Sequence, residues 1–247
     1  MKSMWIADPV VEQVLHSTFQ EVDLDFSMFF EANSLSNEER LTGIFIKTLI
    51  DKSKPINDVL STWSKTIVSG PWYVKLYYTD TTIRRGEKKW GADLAFVLDV
   101  NIPDKNEFKK AILLQAKKMQ SRKTSDGIIF ENYWRLEVSQ AKKLLRCTND
   151  SFYIFYNPNH TGLGIRILPA TSLISLSKAR GNSTILHTSE TVPSTRRFAD
   201  FMLYDFIGCW AGDFKARVLK IAEGSDEELV PSHIIRVIIA RRPGVLD

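Results

Sequence analysis

The chain has 247 residues, of which 44% are hydrophobic and 25% are charged, as in an ordinary globular protein with a substantial core. Only Cys147 and Cys209 are present, which excludes a disulfide framework and a cysteine-rich zinc site and favours a reducing, cytoplasmic location. No run of about eighteen uncharged apolar residues occurs, so we expect neither export nor contact with a membrane.

The first half of the chain predicts a helix followed by three strands. The helix begins at Ser36, a residue suited to an N-cap, and its apolar residues recur at helical spacing as far as Leu49. An aromatic strand over 72–79 comes next. Two strands that are apolar on both faces follow at 91–100 and 111–117, and we expect them to pair as a hairpin.

The second half predicts further helices and strands without a linker between them. They are a helix over 133–146, strands over 152–156 and 164–168, an apolar helix over 198–210 and a last strand over 234–240. Since no Pro/Gly/Ser-rich segment separates these elements, the sequence indicates one α/β domain over 1–247, with a central mixed sheet flanked by helices.

Three polar side chains lie where the hairpin strands should be buried, and an unpaired polar group there is costly. Asp93 lies near the start of the first strand, and Gln115 and Lys117 end the second. Side chains two residues apart on a strand share a face, so Gln115 and Lys117 point the same way and the hairpin can bring Asp93 beside them. Oxygen ligands for Mg²⁺ next to an amine suit phosphodiester hydrolysis. A satisfied buried polar network is the structural alternative.

The pattern Gly-Ala-Asp93 followed by Gln115-Ala-Lys117 resembles the PD-(D/E)XK superfamily, the restriction-endonuclease-like nucleases, over 36–156. Gln in place of the usual acid is similar to the Mrr-like branch and to effector nucleases of prokaryotic anti-phage defence. The resemblance implies a restriction-endonuclease-like core, on which the C-terminal extension 157–247 packs. It also implies Mg²⁺ or Mn²⁺ as cofactor, with Asp93 and Gln115 as ligands and Lys117 acting on water. An amide is a weaker ligand than a carboxylate, so the number of metal ions stays open.

The same family commonly places a metal-facing Glu on the first helix. Glu38 lies at the edge of the buried face and Glu39 is turned further out, so we assign Glu38 as the third metal ligand. Two acids in a first turn are also what the helix dipole favours. Gln140, on a core-facing stripe, is a candidate to support the site or to bind phosphate, and Glu87, in a charged loop, is a candidate for a further ligand. Glu39 stays a candidate to support the site. The alternatives are a backbone-bonded amide for Gln140 and simple charge balance for Glu87.

The net charge of +4 is distributed unevenly. From Arg84 to Arg146 there are 15 Lys/Arg against 8 Asp/Glu, which gives this segment a net charge of +7 and the rest of the chain −3. Because the predicted site lies inside this segment, we expect phosphate contacts from flanking basic residues. The candidates are Arg84, Arg85, Lys88, Lys89, Lys118, Arg122 and Lys123. An ordinary solvated surface would have the same composition.

Other hydrolytic and cofactor chemistries lack their motifs. The four histidines are far apart and form no HExxH or Cys/His pattern, and there is no nucleophile elbow, P-loop or complete dinucleotide fingerprint. We therefore expect a Mg²⁺-dependent endodeoxyribonuclease whose partner is DNA, acting in a defence complex or as a homodimer. A catalytically inactive nuclease-like subunit that binds DNA or serves as a scaffold stays open, and so does an RNA substrate.

Overall fold

The computed structural model describes residues 8–64, 72–81, 92–102, 106–208, 210–226 and 229–241. Its α-helices are Pro9–Ala32 (α1), Glu38–Ser53 (α2), Ile56–Ser64 (α3), Val138–Cys147 (α4), Ala170–Ala179 (α5), Thr188–Thr191 (α6), Phe198–Asp200 (α7) and Ala216–Ala222 (α8). Its strands are Trp72–Asp80 (β1), Leu94–Ile102 (β2), Asn106–Thr124 (β3), Gly127–Arg135 (β4), Ser151–Tyr156 (β5), Arg166–Pro169 (β6), Ile185–His187 (β7), Arg196–Arg197 (β8) and His233–Arg241 (β9). The 3₁₀ turns Asn159–Thr161 and Val192–Ser194 and the π-helical segment Phe201–Ile207 complete the described elements.

The described strands form one mixed sheet flanked by helices, which confirms the predicted α/β class. Its main path runs in the order β1-β9-β2-β3-β5-β6-β8, and β4 pairs with β3 and β7 off this path. The pairs β2/β9 and β3/β5 are parallel, and the other pairs are antiparallel. The middle of the sheet, from β9 to β5, is buried on both faces, as its near-continuous apolar strands require.

The predicted hairpin is confirmed, and its register determines where the polar residues meet. Leu94 lies opposite Leu114 in the antiparallel pair β2/β3, so Asp93 comes beside Gln115. Strand β3 is 19 residues long, much longer than predicted. Its first part pairs with β2, and after an irregularity at Met119/Gln120 its last part pairs with β4. The long strand therefore links the main sheet to a hairpin at its edge.

Three helix predictions are corrected by the structure. Helix α2 begins at Glu38, and its cap is Asn37 in place of Ser36, because the Asn37 side chain accepts a hydrogen bond of 2.9 Å from the backbone N of Arg40. The helix predicted over 133–146 begins only at Val138, since residues 133–135 end strand β4 and pair with β7, with Trp134 also opposite Met119 of β3. The helix predicted over 198–210 becomes π-helical after its first turn and ends at residue 207.

The two ends of the described chain both contribute to the core. Helix α1, which was not predicted, buries one apolar stripe against α2, with Phe19, Phe26 and Phe30 fully covered. Strand β9 lies between β1 and β2 in the centre of the sheet. Strand β9 belongs to the predicted extension over 157–247 and pairs with two strands of the predicted core over 36–156. The division into core and extension stays a prediction. Every helix within the described ranges is too short or too polar to cross a membrane.

Asp23 on α1 is a largely buried carboxylate that holds the loop before β6. It accepts a hydrogen bond from the backbone N of Ile165, and a Cβ atom on Gly164, whose φ is +62°, would lie 2.6 Å from both carboxylate oxygens. Burial raises the pKa of Asp23 to about 6, although the hydrogen bond from Ile165 and the charge of Arg166 oppose the rise. Ionisation of this group therefore opposes folding.

This raised pKa predicts a pH-dependent contribution to stability. Asp23 contributes stability that is complete below its unfolded pKa of about 3.9 and is lost as the pH rises through about 6. We expect Asp23→Asn to gain about 1–2 kcal/mol relative to the wild type between pH 4 and pH 8, since Asn keeps the hydrogen-bond acceptor without the charge. Thermal melting at both pH values tests this, with the exposed Asp58→Asn as control. An equal difference at both pH values would contradict it.

Candidate functional site

A cleft with a volume of about 1110 Å³ opens at the edge of the β2/β3 hairpin. Seven of the predicted site residues line it: Glu38, Glu39, Asp93, Gln115, Lys117, Lys118 and Gln140. Its floor is formed by Asp93, Gln115 and Lys117. One wall is the start of α2, with Glu38 and Glu39, and the other is the end of β4 with α4. The cleft is further lined by Leu35, Asn37, Thr42, Lys118, Gln120, Arg135, Leu136, Glu137, Gln140, Lys143, Thr184, Ile185, Ser232 and His233.

Asp93 is held by backbone bonds on both sides immediately before β2 begins. Its backbone N donates to the carbonyl of Leu114 at 2.9 Å, and its carbonyl accepts from the backbone N of His233 at 3.0 Å. The carboxylate Oδ2 accepts from the backbone N of Ala116 at 2.7 Å and from Nε2 of Gln115. Neighbouring strands thus position this carboxylate at the floor of the cleft.

Gln115 has an amide oxygen without a hydrogen-bond partner in the described part of the chain. Its Nε2 donates to Asp93, which determines the orientation of the amide because a flipped amide would bring its oxygen against the carboxylate. Its Oε1 is buried and accepts no hydrogen bond from any described residue. Leaving a buried acceptor unpaired costs roughly 1–3 kcal/mol. A ligand in the cleft that offers a positive partner, such as a cation, would remove this cost.

Glu38 and Lys117 form an ion pair across the cleft. Lys117 Nζ donates to Oε2 of Glu38 at 3.2 Å, and the backbone N of Lys118 donates to Oε1 at 3.4 Å. The Lys117 side chain is 9% exposed and that of Glu38 33%. Lys117 therefore pairs with the helix acid, and Glu38, which sequence reasoning preferred to Glu39, points to strand β3. Glu39 is exposed and also lines the cleft.

Lys118 connects β3 to the loop in front of α2. Its Nζ donates to the carbonyls of Ser36 at 2.8 Å and Ser34 at 3.4 Å, and Ser121 donates to the carbonyl of Ser34 at 2.8 Å. Burial lowers the pKa of Lys118, and the nearby charge of Glu38 partly offsets this effect. These bonds position the first turn of α2. The predicted phosphate contact of Lys118 competes with them.

Further unpartnered polar atoms lie in or beside the cleft. Gln140 and Ser232 line the cleft, and their Oε1 and Oγ atoms are buried without a hydrogen-bond partner among the described residues. The same holds for Oη of Tyr153, which lies beside Gln115 on β5. Burial raises the pKa of the Tyr153 hydroxyl, and the negative charge of Asp93 adds to the rise. Buried polar atoms are normally paired, so their concentration here indicates a site prepared for a polar ligand.

Of the other predicted phosphate-binding residues, the two that the structure describes do not line the cleft. Arg122 and Lys123 are exposed on the β3/β4 hairpin, where Arg122 forms an ion pair of 3.5 Å with Glu131. Arg84, Arg85, Lys88, Lys89 and the candidate Glu87 lie outside the described residues. Part of the basic segment is structural, because the fully buried Lys110 donates to the carbonyl of Ala211 at 2.6 Å.

Sequence reasoning missed two basic residues of the cleft. Arg135 at the end of β4 is exposed, and Lys143 on α4 is half-buried. Neither makes an ion pair with another described residue. The prediction of a single helix over 133–146 put Arg135 on that helix instead of on a strand, so it did not indicate that Arg135 and Lys143 line the same cleft. The i,i+3 spacing of Gln140 and Lys143 could have indicated that both face the same side.

In the described ranges, no group of three or more His, Cys, Asp and Glu side chains is placed to hold a metal ion. The predicted set differs from such a group because it combines two carboxylates with one amide. Comparison with known proteins gives no assignment: no family model, no curated protein and no solved structure matches the chain. The function must therefore be inferred from the geometry of the cleft.

Proposed function

We propose that the chain is a metal-dependent endonuclease of the PD-(D/E)XK type that hydrolyses DNA phosphodiester bonds. The observation that carries the proposal is the meeting of Asp93, Gln115, Lys117 and Glu38 in one cleft, with a buried amide oxygen that has no hydrogen-bond partner among the described residues. Two carboxylates, an amide oxygen and a buried ammonium group are the parts that phosphodiester hydrolysis requires. Asp93 immediately precedes β2, and Gln115 and Lys117 lie on β3, which pairs with it, in the order of the family's pattern.

The residues of the cleft suit Mg²⁺ or Mn²⁺. Asp93, Gln115 and Glu38 offer oxygen ligands, which these hard cations prefer. Gln115 Oε1 has no hydrogen bond from a described residue that a cation would have to displace. The Glu38 carboxylate would exchange its contact with Lys117 for the cation. Bound there, the cation would supply Lewis-acid stabilisation of the charge that develops on the phosphate oxygens.

The protein's own groups orient the reactants. The Lys117 ammonium is almost completely enclosed, so its charge acts at low dielectric on a phosphate oxygen or an attacking water placed beside Asp93. Ala116 N and Gln115 Nε2 hold the Asp93 carboxylate in position before substrate arrives. Lys118 holds the first turn of α2, and through it Glu38. Substrate therefore meets a preorganised set of charges.

The biological role rests on the resemblance of the Gly-Ala-Asp and Gln-Ala-Lys pattern to effector nucleases of anti-phage defence. We extend the proposal to such a role, in the cytoplasm and with DNA as partner. The alternative, an inactive nuclease-like subunit, draws on the Glu38–Lys117 ion pair, because a helix acid that stays paired with the lysine is not available to a cation. A nuclease should bind and cleave DNA, whereas an inactive subunit should bind DNA without cleaving it.

The deciding experiment incubates the purified chain with supercoiled, linear and single-stranded DNA and with RNA, with and without Mg²⁺ or Mn²⁺. We expect nicking of DNA only with the metal. Retarded migration without nicking in any metal would favour the inactive subunit, and cleavage of RNA alone would change the substrate class. If the chain neither binds nor cleaves any nucleic acid, the proposal is excluded.

Gln115→Glu tests the metal site without relying on cleavage. The substitution puts a second carboxylate against Oδ2 of Asp93 and removes the Nε2 donor, so the metal-free protein should lose stability through like-charge repulsion. A bound divalent cation relieves the repulsion, and the rise in melting temperature on adding Mg²⁺ should exceed that of the wild type. The control is Gln120→Glu, which adds the same charge to the cleft but has no contact with Asp93. An equal rise in all three proteins would show that Gln115 is not a ligand.

A further inference from the structure

The two walls of the cleft differ in charge. The α2 wall presents Glu38 and Glu39, of which only Glu38 is neutralised by the floor residue Lys117. The opposite wall presents Arg135 and Lys143 around the single acid Glu137. A strand of nucleic acid that occupies the cleft is therefore repelled by the first wall and attracted by the second.

Arg135 and Lys143 are available to a ligand. Within the part of the chain that the structure describes, no ion pair or hydrogen bond engages either side chain, although thirteen ion pairs are present there. Arg135 ends strand β4, which is anchored by the buried Trp134, and Lys143 is one turn from Gln140 on α4. Both Cα positions thus belong to ordered elements, and only the long side chains need to adjust to a phosphate.

We infer that Arg135 and Lys143 form a phosphate-binding subsite for the nucleotide next to the scissile bond. This inference rests on the proposed nuclease function and names the wall on which the strand lies. Arg135 can bind two phosphate oxygens at once through its planar guanidinium group, and Lys143 supplies a point charge. The amide of Gln140, whose Oε1 has no hydrogen-bond partner among the described residues, lines the same cleft.

The predicted basic residues of the described chain fit this role less well. The ammonium group of Lys118 already donates to two carbonyls, and Arg122 is paired with Glu131 on the hairpin outside the cleft. Arg135 and Lys143 are the cleft's cations without such a bond among described residues. Contacts to phosphate determine position and affinity without reading sequence, so the subsite should act on any DNA substrate alike.

The test is a binding experiment on the full chain without catalytic metal. We would measure the binding of labelled duplex DNA and of its single strands to the wild type and to Arg135→Ala/Lys143→Ala by fluorescence anisotropy. The measurements are made in EDTA at several salt concentrations. Loss of two phosphate contacts should weaken binding and make the negative slope of log K against log salt less steep, by about 1.4–1.8. Lys142→Ala/Arg146→Ala, at two exposed positions on α4 outside the cleft, removes the same two charges and should leave both quantities near wild type. The exchange Arg135→Lys/Lys143→Arg should restore most of the affinity.

The outcomes separate this inference from the nuclease proposal. If the wild type cleaves DNA and the double variant binds with unchanged affinity and salt slope, the subsite is refuted and the nuclease stands. Weakened binding in a protein that cleaves nothing would support the subsite and refute the nuclease. Equal losses in Lys142→Ala/Arg146→Ala and the cleft variant would reduce the effect to net charge and refute the subsite, and a wild type that binds no nucleic acid would refute both proposals. Unchanged melting temperatures show that the variants are folded.

Discussion

Asp93→Asn should lower metal-dependent DNA cleavage by on the order of 10³-fold or more while leaving the fold and DNA binding close to wild type. The Asn side-chain oxygen can still accept the hydrogen bonds that Ala116 N and Gln115 Nε2 donate to the carboxylate. Only the negative charge is removed, and a cation depends on that charge more than the hydrogen bonds do. The loss should therefore appear in catalysis and metal binding, and hardly in stability.

Three measurements on this variant separate chemistry from packing. Plasmid nicking with Mg²⁺ gives the rate, anisotropy in EDTA gives DNA binding, and thermal melting gives stability. Asp58→Asn makes the same change on the exposed face of α3 and should be indistinguishable from wild type in all three. Wild-type cleavage by Asp93→Asn would refute the assigned site. A large loss of stability would instead indicate that Asp93 serves the buried polar network of the sheet.

Much of the floor of the cleft could be predicted from the sequence, because it depends on local periodicity. The side-chain period of a strand puts Gln115 and Lys117 on one face, and two apolar strands separated by a short turn pair antiparallel. The register that the structure shows for β2 and β3 then brings Asp93 beside Gln115. The α/β class has the same origin, since buried strands alternating with amphipathic helices require covered sheet faces.

The walls of the cleft could not be predicted in the same way, because they depend on long-range packing. The contact between Lys117 and Glu38 joins residues 79 positions apart in the chain and exists only when α2 docks on the sheet. The segment of β4 contains Ile128, Ile129 and Trp134 in a pattern compatible with either a strand or a helix, and pairing with β3 decides for the strand. Lys110, apparently one more surface lysine, is fully buried against Ala211.

Lys117→Met should lower the rate of cleavage by roughly 10²-fold or more and change the stability little. Met keeps most of the volume of the buried stem and removes the ammonium group that acts on the phosphate or on water. The substitution leaves Glu38 without its ion-pair partner. That carboxylate is one-third exposed and still accepts from the backbone N of Lys118 at 3.4 Å, so the cost should be about 1 kcal/mol, well below the roughly 3–5 kcal/mol of a stranded buried charge.

Melting and plasmid nicking, both with Mg²⁺ present, decide what Lys117 does. Lys178→Met, at an exposed position in the last turn of α5, is the matched control and should change neither quantity. A variant that is stable and inactive supports a role of Lys117 in the reaction. If stability falls by several kcal/mol, the ion pair with Glu38 is mainly structural, and Glu38→Gln should then show a similar loss. A stable and fully active variant refutes the role, because no other described lysine of the cleft floor could replace its charge.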